Sequence, residues 1–177
     1  MTRPHADPAS IHMLVLDVDG VLTAGEIIYD SEGRELKQFS VRDGFGLSLW
    51  HAAGGQSAII TARGGPVVER RAEELGIGHR FHRVPDKAAT LRSLAETTGV
   101  PVEQMAYMGD DWKDMPALAI AGFPAAPPDA EPPVREMAVW VSRRPGGRGA
   151  VRELVEHLLE ARGVLDGLRR AHGYDRP

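Results

Sequence analysis

A chain of 177 residues has room for one domain with a full core. Its 21 Lys and Arg against 25 Asp and Glu leave a formal charge of -4 and no basic stripe, which argues against a nucleic-acid partner, and the absence of cysteine excludes disulfides and thiolate metal sites. The first residues, MTRPHADPAS, lack the apolar segment of a signal peptide and no apolar run reaches the length of a membrane span, so a cytoplasmic protein with no membrane partner is expected.

Residues 1–12 read as a disordered leader, 13–162 as a single domain and 163–177 as a C-terminal tail. Strands are expected at Met13 to Leu16, Ser57 to Ile60, around Phe81, Met105 to Met108, Phe123 to Ala126 and Ala138 to Val141. Pro124 restricts the fifth to a sheet edge or a strand start. Helices are expected at Phe45 to Ala53, Pro66 to Leu75, Asp86 to Thr98 with Asp86 as N-cap, and Ala150 to Arg162. That alternation predicts an α/β fold, a doubly wound, mostly parallel, Rossmann-like sheet. One segment breaks it. Within residues 26–40, two strand-like runs flank the turn residues Asp30 to Gly33 and predict a protruding β-hairpin, placed directly after two aspartates. A hairpin is marginal alone in water, so it needs something to pack on, and a second subunit would serve.

Those aspartates, Asp17 and Asp19 in LDVDG, end the first strand, where ligands of open α/β sheets bind. Alternation lets both carboxylates face one pocket, although an Asx turn also explains an aspartate there. A second cluster, Asp110, Asp111 and Asp114, follows another apolar strand. Either Asp111 or Asp114 alone reads equally well as a helix cap, but acids gathered at two strand ends repel one another unless a cation compensates, and an all-oxygen set suits Mg²⁺. Thr61 closes a third strand, where a hydroxyl can hold a phosphate oxygen or cap a helix. Lys87 stands in the first turn of a helix, against the dipole, a placement that makes sense beside an anion. The arginine pairs Arg70–Arg71 and Arg143–Arg144 read as solvated faces.

With DVDG at Asp17 to Gly20, Thr61 in ITAR, Lys87, and GDDWKD at Gly109 to Asp114, the sequence resembles the haloacid dehalogenase superfamily of phosphohydrolases from about Met13 to Leu159. The resemblance implies that Asp17 is the nucleophile that forms an aspartyl phosphate and Asp19 the general acid and base. It also implies Mg²⁺ held by the carboxylates of Asp17 and Asp110 and the main-chain carbonyl of Asp19, supported by Asp114. Thr61 and Lys87 would hold the phosphoryl oxygens. The chain has no room for the usual cap domain. It is more closely similar to the capless 3-deoxy-D-manno-octulosonate 8-phosphate phosphatases, in the DVDGVLT start, the hairpin, the RDG at Arg42 to Gly44, and GGRGAVRE at Gly146 to Glu153. That likeness implies a homotetramer joined through the hairpins, a phosphorylated sugar acid as substrate in lipopolysaccharide sugar synthesis, and substrate binding by Gly20, Arg63 and Arg148 within the stretch from Arg143. Two departures stand out. Ala62 occupies a position where the family more often has glycine, and Arg63 replaces the glutamate of the phosphatases of nine-carbon sialic-type acids, which favours the eight-carbon acid. The rival expectations are a nonulosonate 9-phosphate phosphatase, a receiver-like domain, and a catalytically silent assembly module.

Overall fold

The computed structural model describes residues 6–174. In chain order its elements are β1 (Met13–Leu16), β2 (Ile28–Tyr29), β3 (Glu35–Leu36), α1 (Val41–Ala52), β4 (Gln56–Ile60), α2 (Pro66–Glu74), β5 (His79–Phe81), α3 (Lys87–Thr98), β6 (Met105–Met108), α4 (Met115–Leu118), β7 (Phe123–Ala126), α5 (Pro132–Met137), β8 (Trp140–Val141), α6 (Ala150–Ala161) and α7 (Leu165–Ala171). Six strands form one sheet in the order β5-β4-β1-β6-β7-β8, every pairing parallel, while β2 and β3 pair antiparallel as the separate hairpin.

Strand alternation divides the interior into two cores. Leu14, Leu16, Ile59, Ala106 and Met108 join Leu47 and Trp50 of α1 and the apolar stripe of α6 on one face. Met13, Val15, Ile60 and Tyr107 join Leu91 and Leu94 of α3, with Leu118 and Val134, on the other. Helices on both faces explain why the central strands are apolar throughout and not alternating. From β1 the chain runs out to β4 and β5, then returns to β6 and continues the other way, so the strand order reverses between β1 and β6. The carboxyl ends of those two strands are where such a sheet leaves a crevice.

Helix α1 starts at Val41, earlier than its apolar period begins, because Ser40 caps it by accepting from Arg42 N–H and Asp43 N–H. Asp43 then does something local sequence cannot reveal. Its buried carboxylate accepts the N–H groups of Gly149 (3.1 Å) and Arg152 (2.9 Å), and so satisfies the orphan donors that open α6, a helix with no side-chain cap of its own. Gly46 permits the close crossing of α1 on α6, since a Cβ there would lie 2.9 Å from Arg152 Cα. Asp43→Ala is expected to cost about 1–3 kcal/mol, read as a lower midpoint in urea.

Several expectations need correction. Of the two places expected for Pro124, the structure gives the strand start and not the edge: β7 lies between β6 and β8, but Pro124 is its second residue, Val139 N–H donates to its carbonyl, and the β8 ladder begins only at Ala125, so the missing proline N–H falls before it. The last strand shrinks to two residues. Residues 1–5 of the expected leader lie outside the described residues, but from Ala6 the chain is ordered, with a 3₁₀ turn at Pro8–Ser10 and a fully buried Ile11. The expected tail holds α7, whose Leu165 is buried in the first core; residues 175–177 lie outside the described ones. Between β1 and α1 the chain contributes only the hairpin, so no cap domain is present among the described residues. No described helix is long and apolar enough to cross a membrane.

Candidate active site

At the crevice, β1 delivers Asp17 with its amide N–H on the carbonyl of Met108 (3.0 Å), which locks the strand end. The Asp17 carboxylate is buried: Oδ1 accepts the N–H of Val18 (2.7 Å) and Oδ2 faces Lys87 Nζ at 2.8 Å. Lys87 is the first residue of α3, placed there by the Asp86 cap, and its side chain is 3% exposed. Its ammonium also meets Asp114 Oδ1 at 2.6 Å. Burial alone would lower the Lys87 pKa, but the two carboxylates outweigh it and raise the value.

Asp114 is fully buried and fully used. Oδ1 accepts from Lys87 and from the Tyr107 hydroxyl (2.7 Å), and Oδ2 from the N–H groups of Asp110 (3.0 Å) and Asp111 (3.1 Å). Asp111 caps the 3₁₀ turn that follows by accepting the N–H of Trp112. Asp114 thus folds the loop after β6 into the shape that aims Asp110 back at Asp17. Asp17, Asp110 and Asp114 offer oxygens within 4.8 Å of one another. With Asp114 saturated, Asp17 and Asp110 remain as the carboxylates free to bind a cation.

The electrostatics require such a cation. Two buried carboxylates, Asp17 and Asp114, and the half-buried Asp110 share a single buried ammonium. Burial, then the charge of Asp114, pushes Asp17 up to about 7 against the pull of Lys87, and burial with the charges of Asp17, Asp114 and Asp111 pushes Asp110 up to about 8. Asp110 Oδ1 is buried without a hydrogen-bond partner among the described residues. A buried carboxylate oxygen left orphaned beside a second carboxylate fits an oxygen-seeking divalent cation, and Mg²⁺ suits the all-oxygen donor set. A carboxylate whose pKa is raised on folding stabilises the fold below its unfolded value and loses that contribution as pH rises through the folded one. Metal-free protein is therefore expected to lose thermal stability from about pH 4 to about pH 8, and added Mg²⁺ to restore most of it at the alkaline end. Melting curves in EDTA and in Mg²⁺ across that range check this; a Mg²⁺ effect independent of pH contradicts it.

A cavity of about 190 Å³ joins these groups to Asp19, Thr61 and Arg63. Thr61 directly follows β4, is buried, and accepts the N–H of Arg63 (3.3 Å), which leaves its hydroxyl hydrogen for the cavity. Asp19 sits apart from the acid cluster: Lys37 holds Oδ1, and Arg63 Nε lies 3.7 Å from Oδ2. Gly20 (φ +82°) lines no part of the cavity; a Cβ there would collide with the Asp110 carboxylate, so its contribution is clearance for that side chain. Arg148 is not brought to the cavity. It lines a neighbouring groove with Thr23, Glu26 and Arg42, and Arg143 is paired with Glu153 at 2.6 Å. Sequence reading missed Lys113 and Gly25, which also line the cavity, and Lys37, which arrives from the hairpin. Only the position of the hairpin directly after Asp19 hinted at it.

No family model matches the chain. The 3-deoxy-D-manno-octulosonate 8-phosphate phosphatase of Yersinia pestis is 42% identical over 159 residues, 90% of this chain and 85% of the relative. The crystal structure of a 3-deoxy-D-manno-octulosonate 8-phosphate phosphatase from Moraxella catarrhalis, in complex with magnesium, phosphate and KDO, superimposes with a TM-score of 0.92 at 38% identity, covering 94% of this chain and 95% of that one. The cobalt-bound deoxy-D-mannose-octulosonate 8-phosphate phosphatase of Haemophilus influenzae gives 0.90 at 37% identity, over 94% and 98%.

Proposed function

The chain belongs to the 3-deoxy-D-manno-octulosonate 8-phosphate phosphatases, and on that premise we infer that it hydrolyses this sugar-acid phosphate, with Mg²⁺, to the free sugar acid and phosphate. The observation that carries the chemistry is Asp17, a buried carboxylate at the reversal of strand order, between the Lys87 ammonium and the orphaned oxygen of Asp110. Asp17 attacks phosphorus while the bond to the sugar oxygen breaks and Asp19 gives that oxygen its proton. Asp19 then takes a proton from water as the water attacks the aspartyl phosphate, which releases phosphate and restores Asp17. Lys87 and the Thr61 hydroxyl hold the phosphoryl oxygens. The carboxylates of Asp17 and Asp110, with the main-chain carbonyl of Asp19 that the family likeness adds, would hold Mg²⁺, which would supply neutralising charge to an anionic nucleophile meeting an anionic substrate. Arg63, half-exposed at the rim, fits the carboxylate of the sugar acid.

A homotetramer joined through the hairpins is part of the same reading. Ile27, Ile28, Tyr29 and Leu36 are 43–60% exposed on an element too small to be stable alone, and a neighbouring copy would cover them and wall the open site. Sedimentation is expected to give four chains per particle, and a stable monomer refutes this. A cytoplasmic location follows from the substrate, since a multiply charged sugar phosphate does not cross a bilayer and is met where it is made. The test of the activity is phosphate release from 3-deoxy-D-manno-octulosonate 8-phosphate beside a nonulosonate 9-phosphate and an aryl phosphate, with and without EDTA. An EDTA-sensitive preference for the eight-carbon acid is expected; equal rates on all three overturn the assignment.

A further inference from the structure

Lys37 follows β3 of the hairpin, and its side chain is 3% exposed. Burying a lysine removes the hydration of a full charge, so the site must return that energy through partners. It does so with Asp19 Oδ1 and with Glu35 Oε1 at 3.2 Å. Glu35 Oε1 also accepts from Arg63 Nη2 (3.2 Å), and Arg63 Nε approaches Asp19 Oδ2 at 3.7 Å. The four side chains close a ring: Asp19, Lys37, Glu35, Arg63 and back to Asp19. Asp19 lines the cavity but Lys37 does not, so the lysine stands behind the carboxylate that faces the substrate. Of the two cations on Asp19, Lys37 is the buried and tightly held one, while Arg63 is 42% exposed and farther away.

We propose that Lys37 is a positioning residue for the reaction, fixing Asp19 by one oxygen so that the other meets the leaving oxygen of the substrate. The proposal rests on the acid–base role given to Asp19 above. It makes the hairpin part of the catalytic apparatus of its own subunit through an ion pair eighteen residues apart in sequence. A lysine that merely anchored the hairpin would, when removed, affect every substrate alike. A lysine that aims the proton donor matters only where the leaving group needs a proton.

The experiment compares wild type, Lys37→Met and Lys37→Arg on 3-deoxy-D-manno-octulosonate 8-phosphate, on phenyl phosphate, and on 2,4-dinitrophenyl phosphate, whose phenolate departs unprotonated. Lys37→Met is expected to lower kcat on the first two by about 100-fold, with KM changed by no more than about 3-fold. First-turnover release of dinitrophenolate should stay within about 3-fold of wild type. Lys37→Arg, whose donors are displaced but whose charge remains, should recover to within about 10-fold on the poor leaving groups. An equal loss on all substrates, no loss, or no recovery with arginine overturns the proposal. Should the methionine variant fail to fold, Lys37→Gln takes its place under the same criteria: a loss confined to the poor leaving groups supports the proposal, and a uniform loss or none refutes it. Wild type inactive on the sugar phosphate would refute the substrate reading, while phenyl against dinitrophenyl phosphate would still judge Lys37.

Discussion

Asp17→Asn is expected to lower kcat by at least about 10⁴-fold, as loss of a nucleophile does, while leaving the protein folded. The amide keeps the shape of the carboxylate and can still accept the Val18 N–H, but it cannot attack phosphorus. Stability should move in the opposite direction to activity. Burial and Asp114 raise the pKa of Asp17 to about 7, so the fold resists its ionised form, and a neutral amide relieves that cost. In EDTA above about pH 7 the variant should melt no lower than wild type. Added Mg²⁺ should stabilise it less than wild type, because one of two available carboxylates is gone. Phosphate release and paired melting curves measure both effects; turnover within about 10-fold of wild type would remove Asp17 from the chemistry.

Lys87→Met is expected to damage both activity and stability. Lys87 is the buried cation that Asp17 and Asp114 share, at 2.8 and 2.6 Å, and removing one partner of a buried ion pair costs about 3–5 kcal/mol. The Tyr107 hydroxyl remains on Asp114, yet a neutral donor cannot balance two carboxylates with Asp110 beside them. Stability should fall by about that amount in EDTA and recover in part with Mg²⁺, the remaining source of positive charge. Loss of phosphoryl-oxygen stabilisation should lower kcat by about 10²–10³-fold on top of any unfolding. Lys87→Arg is not an equivalent replacement, because a planar fork does not fit where a compact ammonium bridges two carboxylates. A methionine variant as stable as wild type in EDTA would contradict this charge balance.

The parts of the molecule legible in the sequence are those set by local pattern. The apolar runs of β1, β4 and β6 and the caps Asp86 and Gly99 follow from periodicity and backbone preference, and both acid clusters stand at strand ends because the runs stop there. The parts that stayed hidden are set by distant pairing. Asp43 belongs to the RDG that carries the family likeness, yet nothing local shows that it serves α6, more than a hundred residues later. Lys37 belongs to no motif, yet its side chain is buried on Asp19. Pro124 reads as a signal of an edge or a strand start, and only the packed sheet decides for the start, where the short β8 leaves its missing donor without consequence. Asp114 was legible as one more acid, but its saturation by four donors, which separates it from Asp17 and Asp110 as a metal ligand, exists only in three dimensions.

The most direct measurement traps the covalent intermediate. In Asp19→Asn, dinitrophenyl phosphate can still phosphorylate Asp17, since its leaving group needs no proton, but the base that hydrolyses the acyl phosphate is absent. Borohydride added after the burst of dinitrophenolate reduces an acyl phosphate to homoserine, which peptide mapping locates. Homoserine at position 17 alone is the expected result. Homoserine at another aspartate, or a stoichiometric burst with residue 17 unmodified, would contradict the central claim that Asp17 carries the phosphoryl group.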